Sequence, residues 1–121
     1  MLKNLICALI LLTEIAIWPV WSHAGAIAVA SAGSSVVPKF GIVVGYKTVA
    51  EAEKAAIDKC MANGGANCRV VGKFERCGAI AASDVAFGIG VGSSGRLARN
   101  KALSVCGSVE CQVLDNACED Y

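Results

Sequence analysis

The chain repeats itself, and each copy carries three cysteines. Gly25-Ala26-Ile27-Ala28 returns as Gly78-Ala79-Ile80-Ala81, and Phe40-Gly41-Ile42 returns as Phe87-Gly88-Ile89. Cys60, Cys68 and Cys77 answer to Cys106, Cys111 and Cys118. A duplicated pattern with six half-cystines behind an export signal describes a small, cross-linked, two-fold-like domain suited to an oxidising compartment. The expected fold class is α+β: two pseudo-symmetric strand-strand-helix-strand repeats, residues 25–77 and 78–118, in one small disulfide-linked domain spanning 25–121.

Residues 1–24 read as a secretory signal peptide. Lys3 supplies the positive start, Leu5 to Val20 is an apolar run broken by Thr13 and Glu14, and Ser22-His23-Ala24 offers small residues at the cleavage positions. The alternative is an uncleaved anchor, since about 16 apolar-dominated residues could nearly span a bilayer. Cleavage before Gly25 would remove the sole histidine, His23, and both tryptophans, Trp18 and Trp21. With Lys3 and Glu14 taken from the totals of 11 and 10, the mature chain has ten Lys and Arg to nine Asp and Glu. Such a balance lacks the basic surplus of a nucleic-acid binder, and no stable membrane insertion is expected after cleavage. The expected location is periplasmic or secreted. The core is rich in Ala, Gly and Val and therefore thin, which cross-links would offset at about 2–4 kcal/mol each.

In the first copy, Gly25–Ala30 and Phe40–Tyr46 read as strands around a Ser31–Lys39 turn. Thr48-Val49-Ala50-Glu51 is a capping box that starts a helix, with Val49, Ala52, Ala56 and Cys60 on one face. Gly64-Gly65 closes it, and Arg69–Phe74 is the next strand. In the second copy Ala86–Val91 is a strand, and Ser93 or Ser94 caps a helix running to about Cys106. Ala98, Ala102, Val105 and Cys106 form its apolar face, and Gln112–Leu114 is a short last strand. Six cysteines leave many pairings open. The repeat favours a local bridge Cys60–Cys68, its counterpart Cys106–Cys111, and Cys77–Cys118 tying the two copies together.

Gly25–Ala28, Ala50–Glu53 leading to Cys60, Cys68–Val71 and Cys77–Ala81 together resemble the domain-of-unknown-function family 4189. The resemblance runs from Gly25 to Cys118 and implies a small exported bacterial protein of the envelope or the medium. It carries no catalytic residues onto this chain. The second copy departs from the family pattern at Gly92-Ser93-Ser94-Gly95-Arg96, which stands where an alanine- and glutamate-rich helix start is usual.

Several constellations could carry chemistry. Gly90-Val91-Gly92-Ser93-Ser94-Gly95 is a formal G-x-G-x-x-G with Glu110 beyond it, but a mature chain of this size has no room for the doubly wound sheet that motif serves. Turn geometry is the simpler reason for these glycines. Gly95, Arg96 and Arg99 remain a candidate site for a small anion or an acidic group of a partner. No histidine is left to activate a nucleophile, and the cysteine spacings do not match a zinc template. Glu51 and Glu53 belong to a helix start, whereas Glu110, Asp115, Glu119 and Asp120 look like solvated loop and tail positions. No catalytic residue, no metal and no cofactor is expected, and the chain is not read as an enzyme. The expected function is a non-catalytic exported binding module of the bacterial envelope, inhibitor- or immunity-like, whose partner is another protein. The alternative is a secreted effector acting outside the cell.

Overall fold

The computed structural model describes residues 23–31 and 37–119. The expected signal peptide, apart from His23 and Ala24, lies outside the described residues. So do part of the Ser31–Lys39 turn, Asp120 and Tyr121.

Each copy folds as strand, strand, helix, strand. The first comprises β1 (Ala24–Val29), β2 (Phe40–Tyr46), α1 (Val49–Ala62) and β3 (Arg69–Phe74). The second comprises β4 (Cys77–Ala82), β5 (Phe87–Gly92), α2 (Gly95–Cys106) and β6 (Gln112–Cys118). Both sheets are antiparallel with the first strand of the copy in the centre, in the orders β2-β1-β3 and β5-β4-β6.

Strand alternation decides what each face buries. In β1, Ala24, Ala26 and Ala28 meet Ala52, Ala56 and Cys60 of α1. In β4, Cys77, Ala79 and Ala81 meet Ala98, Ala102 and Cys106 of α2. The opposite faces of the two sheets meet in the middle, where Ile27, Ile42 and Phe74 pack with Ile89 and Ala117 of the second copy. The layers are therefore helix, sheet, sheet, helix. Strand contacts between copies include both β2 with β6 and β3 with β5. Exchanging the copies turns one of these contacts into the other, the mark of a two-fold relation inside one chain.

Small residues let the helices sit low. A Cβ added at Gly41 would stand 2.5 Å from the Ala56 carbonyl oxygen and 2.6 Å from the Cys60 nitrogen. Gly88 and Gly90 face the backbone of α2 still more closely, at Ala102, Cys106 and Ala98. This revises the reason for the Gly90-Val91-Gly92-Ser93-Ser94-Gly95 series. None of its glycines has a positive φ, so Gly90 and Gly92 serve not a turn but the seating of α2 on β5.

Two apolar-face expectations are also revised. Val49 is 46% and Val105 54% exposed, because the contact with alanine and glycine is narrow and these residues fall on its flank. Thr48 Oγ accepts from the Glu51 nitrogen at 3.1 Å, and Ser94 Oγ from the Leu97 nitrogen at 3.2 Å. Of the expected capping box, that half is present among the described hydrogen bonds. β6 extends past Leu114 to Cys118 because its far end pairs with the start of β4.

The disulfides are Cys60–Cys68, Cys106–Cys111 and Cys77–Cys118. The first two each fasten a helix end to the segment that follows. The third corrects the idea that it ties the copies together. Cys77 opens β4 and faces Cys118 of β6, so the bridge lies within the second sheet.

A different residue joins the copies. β1 and β2 shift register between Ala24 and Ala26, leaving Gly45 (φ 86°) as an extra residue. β4 and β5 pair without such a shift. A bulge leaves a backbone N–H outside the ladder, and Glu119 takes it: its carboxylate oxygens lie 2.9 and 2.8 Å from the Gly45 nitrogen. Glu119 is buried, with 1% of its side chain exposed, and His23 Nδ1 lies 3.8 Å away. The expectation of a solvated tail glutamate is therefore wrong, because its burial depends on a bulge 74 positions earlier. Glu119→Ala is expected to cost about 2 kcal/mol, the loss of a charge-assisted bond plus an orphaned buried donor. Glu119→Gln, which keeps an acceptor, should lose less than half of that. Urea unfolding measures both, and hydrogen exchange at the Gly45 amide should accelerate in the alanine variant alone.

Candidate functional site

The strand registers and helix caps align the copies residue by residue. Ala24 corresponds to Cys77, Lys73 to Asn116, Phe74 to Ala117 and Glu75 to Cys118. From the two caps, Lys47, Thr48 and Val49 correspond to Ser93, Ser94 and Gly95. These two sets occupy equivalent places, where the central strand begins beside the first turn of the helix.

The second copy's place is filled. The Cys77–Cys118 bridge spans it. A Cβ at Gly95 would lie 3.0 Å from Asn116 Nδ2, 3.1 Å from an Arg99 guanidinium nitrogen and 3.6 Å from Cys118 Sγ. Among the three residues expected there as an anion site, the structure brings Gly95 and Arg99 together, while Arg96 is exposed on the helix. Arg99 folds over Gly95 beside Asn116, so the start of α2 is covered by its own chain.

Among the described residues, the first copy's place is open. In the full chain a cleft of about 460 Å³ is lined by His23, Ala24, Lys47, Thr48, Val49, Lys73, Phe74 and Glu75; cleavage before Gly25 would remove the first two. Buried Ala24 and Phe74 lie at its base, while Lys47, Thr48, Val49, Lys73 and Glu75 are exposed. The rim therefore carries two lysines and one glutamate over an apolar floor. Ala24 has no sulfur to cross to position 75, so no bridge closes the gap. At the start of α1, Thr48 Oγ accepts from the Glu51 nitrogen and the Thr48 carbonyl from the Ala52 nitrogen.

Sequence reasoning missed Lys47, Lys73, Glu75 and His23 as a group. No motif marks them. The available signal was the difference between copies: lysine against serine at 47 and 93, lysine against asparagine at 73 and 116, glutamate against cysteine at 75 and 118. Among the described residues no cluster of three His, Cys, Asp or Glu side chains is placed to hold a metal ion. No described helix is long and apolar enough to cross a membrane.

Comparison with known proteins places these features among relatives. The family model described as "Domain of unknown function (DUF4189)" matches residues 24–118. Uncharacterized protein Rv1813c of Mycobacterium tuberculosis is 36% identical over 97 residues, covering 78% of this chain and 62% of its own length. Uncharacterized protein Mb1843c of Mycobacterium bovis matches to the same extent. The chain thus spans 62% of the length of these curated relatives. The NMR structure of Rv1813c superimposes with a TM-score of 0.57 at 28% identity, over 84% of this chain and 78% of that one.

Proposed function

The chain belongs to the DUF4189 family, and from that premise we propose that it is an exported, non-catalytic binding module of the bacterial envelope, inhibitor- or immunity-like, whose partner is another protein. One observation carries this reading. Among the described residues, the cleft at the start of α1 is open in the first copy, while its equivalent in the second is closed by Cys77–Cys118. Two copies of one fold thus differ where a ligand could enter. A cross-linked scaffold presents such a cleft already formed, which lowers the ordering cost of association. Three disulfides support export, since such bonds form and persist in oxidising compartments. Two lysines give the lining fixed positive charge, and the hydroxyl of Thr48 caps α1.

Photo-crosslinking in the native host tests the reading. A photoreactive residue at exposed Val49 should give a discrete protein adduct. The same residue at Val109, fully exposed in the loop after α2, should not. Absence of adducts at Val49, or the same adducts from both positions, would count against a binding module that works through this cleft.

A further inference from the structure

We infer that the outer edge of β5 takes an added strand: an extended segment of another protein, with an acidic residue against Lys101 and apolar residues against Leu97 and Val105. This goes beyond the cleft reading, since no residue that lines the cleft belongs to β5 or α2.

Backbone direction supplies the first argument. In each copy the carbonyl just before the second strand turns inward: the Lys39 oxygen accepts from the Ala30 nitrogen at 2.9 Å, and the Ala86 oxygen from the Ser83 nitrogen at 2.8 Å. Alternation then turns the backbone groups of Phe40 and Ile42 outward in β2, and those of Phe87, Ile89 and Val91 outward in β5. The outward groups of β2 are taken. Asn63 Nδ2 donates to the Phe40 oxygen at 2.9 Å, Lys59 Nζ to the Ile42 oxygen at 3.0 Å, and the Gly45 nitrogen donates to Glu119. β5 lacks each of these covers. Counted from the caps Thr48 and Ser94, the equivalent of Lys59 is Val105, which has nothing to donate. α2 ends at Cys106, the equivalent of Cys60, before the place of Asn63 is reached. β5 also pairs with β4 without a bulge.

The other two edges are guarded by charge. β3 carries Arg69 and Lys73, and β6 carries Asp115, a common defence against strand addition. Phe87–Gly92 holds neither a charge nor a proline. Among the described strands, β5 is thus the edge left ready to pair.

The flank of α2 supplies the chemistry of the occupant. A Cβ at Gly92 would lie 3.0 Å from Leu97 Cβ, one at Gly90 2.9 Å from Lys101 Cβ, and one at Gly88 2.9 Å from the Val105 carbonyl carbon. The next residues, Ala98, Ala102 and Cys106, are buried towards β4, which leaves exposed Leu97, Lys101 and Val105 on the outer flank. Spaced four residues apart on a helix, they rise by about 6 Å each, close to the roughly 7 Å between alternate residues of a strand. A strand laid on β5 therefore meets an apolar, a cationic and an apolar side chain in turn. No described ion pair or hydrogen bond occupies Lys101, so its charge suits a carboxylate. On the opposite face Phe87 and Val91 are partly exposed and offer further apolar surface. A second copy of this chain fits less well, because β5 paired with itself about a two-fold axis brings the two Lys101 side chains together.

The test uses the full oxidised chain, labelled with nitrogen-15, and the blocked peptide acetyl-Thr-Val-Thr-Glu-Thr-Val-Thr-amide, with a second peptide carrying Gln in place of Glu. The glutamate peptide should slow hydrogen exchange at the outward amides of Phe87, Ile89 and Val91, while those of Gly88 and Gly90, already in the ladder, change little. Its affinity should exceed that of the glutamine peptide about threefold, as expected for one solvent-exposed charge pair. Lys101→Gln should remove the preference and leave the binding. Val105→Lys, which restores the donor that Lys59 provides in the first copy, should abolish strand addition. Unchanged exchange at 87, 89 and 91, or full binding by the Val105→Lys variant, would overturn the assignment of the edge. Equal affinity for the two peptides would overturn the acidic occupant. Protection of the same three amides without peptide, rising with protein concentration, would overturn it in favour of a second copy. The peptide measurements on the unaltered protein decide the matter even if a variant folds poorly, and they do not depend on adducts at Val49, whose absence would overturn the cleft reading alone.

Discussion

Replacing Cys77 and Cys118 together by alanine is expected to lower the free energy of unfolding by about 4 kcal/mol, more than the loss of either other bridge. The reason is loop length. Cys77–Cys118 closes a separation of 41 residues, against 8 for Cys60–Cys68 and 5 for Cys106–Cys111. In the chain-entropy account those shorter loops contribute roughly 2.5 and 2 kcal/mol. The long loop holds all of β4, β5, α2 and β6, so its bridge restricts the whole second copy in the unfolded state. A domain of this size has about 5–15 kcal/mol of stability in total, and the loss should be plain in the guanidinium midpoint of the non-reduced protein. Loss of Cys60–Cys68 should shift that midpoint less. The reverse order would show that native contacts, and not unfolded-state restriction, set the value of these bridges. Alanine at 77 and 118 also gives the second copy the gap that Ala24 leaves in the first, and amide shifts near Ser94 and Gly95 should report it.

Local signals in this sequence were strong where an element begins or repeats. Thr48 marks the start of α1 because its hydroxyl has one nearby use, the Glu51 amide. Phe40–Tyr46 and Arg69–Phe74 appear as strands with the bounds expected of them, since β-branched residues between turn formers leave little choice. The cysteine pairs followed from matching the copies. What remained hidden depends on partners far along the chain. Glu119 sits in a polar tail that reads as solvated, and only the bulge at Gly45 explains its burial. Gly90 reads as a turn glycine until α2 is laid across it. Cys77 lies at the joint between copies, and only strand pairing assigns it to the second. The cleft is subtler still, because it is a difference between two similar surfaces, and nothing within either copy alone signals it.

The deepest break in the two-fold symmetry lies at Phe74, and there a double substitution should be far milder than its parts suggest. Phe74 is 7% exposed. Its equivalent in the second copy is Ala117, so one ring fills the space at the centre for both. That ring lies against Gly25 of β1 and Gly78 of β4, the matching glycines that open the two Gly-Ala-Ile-Ala runs. The three atoms nearest a Cβ at Gly78 would all belong to the Phe74 ring, two of them at 2.5 Å, whereas a Cβ at Gly25 would also approach the Val43 carbonyl oxygen at 2.8 Å. Phe74→Ala should cost about 4 kcal/mol, as expected when a buried ring leaves a cavity between sheets. Gly78→Ala alone should cost about 2 kcal/mol, because the ring must leave its seat to admit the methyl group. In the Phe74→Ala background the same methyl enters the space the ring has vacated, so Gly78→Ala should become neutral or slightly stabilising. The coupling in this double-mutant cycle should therefore be about 2 kcal/mol, well above that of residues not in contact. Denaturant unfolding of the four proteins measures it. Strict additivity would mean that Gly78 is kept for its backbone and not to make room for the ring, and the one-ring account of the duplicated glycines would fail.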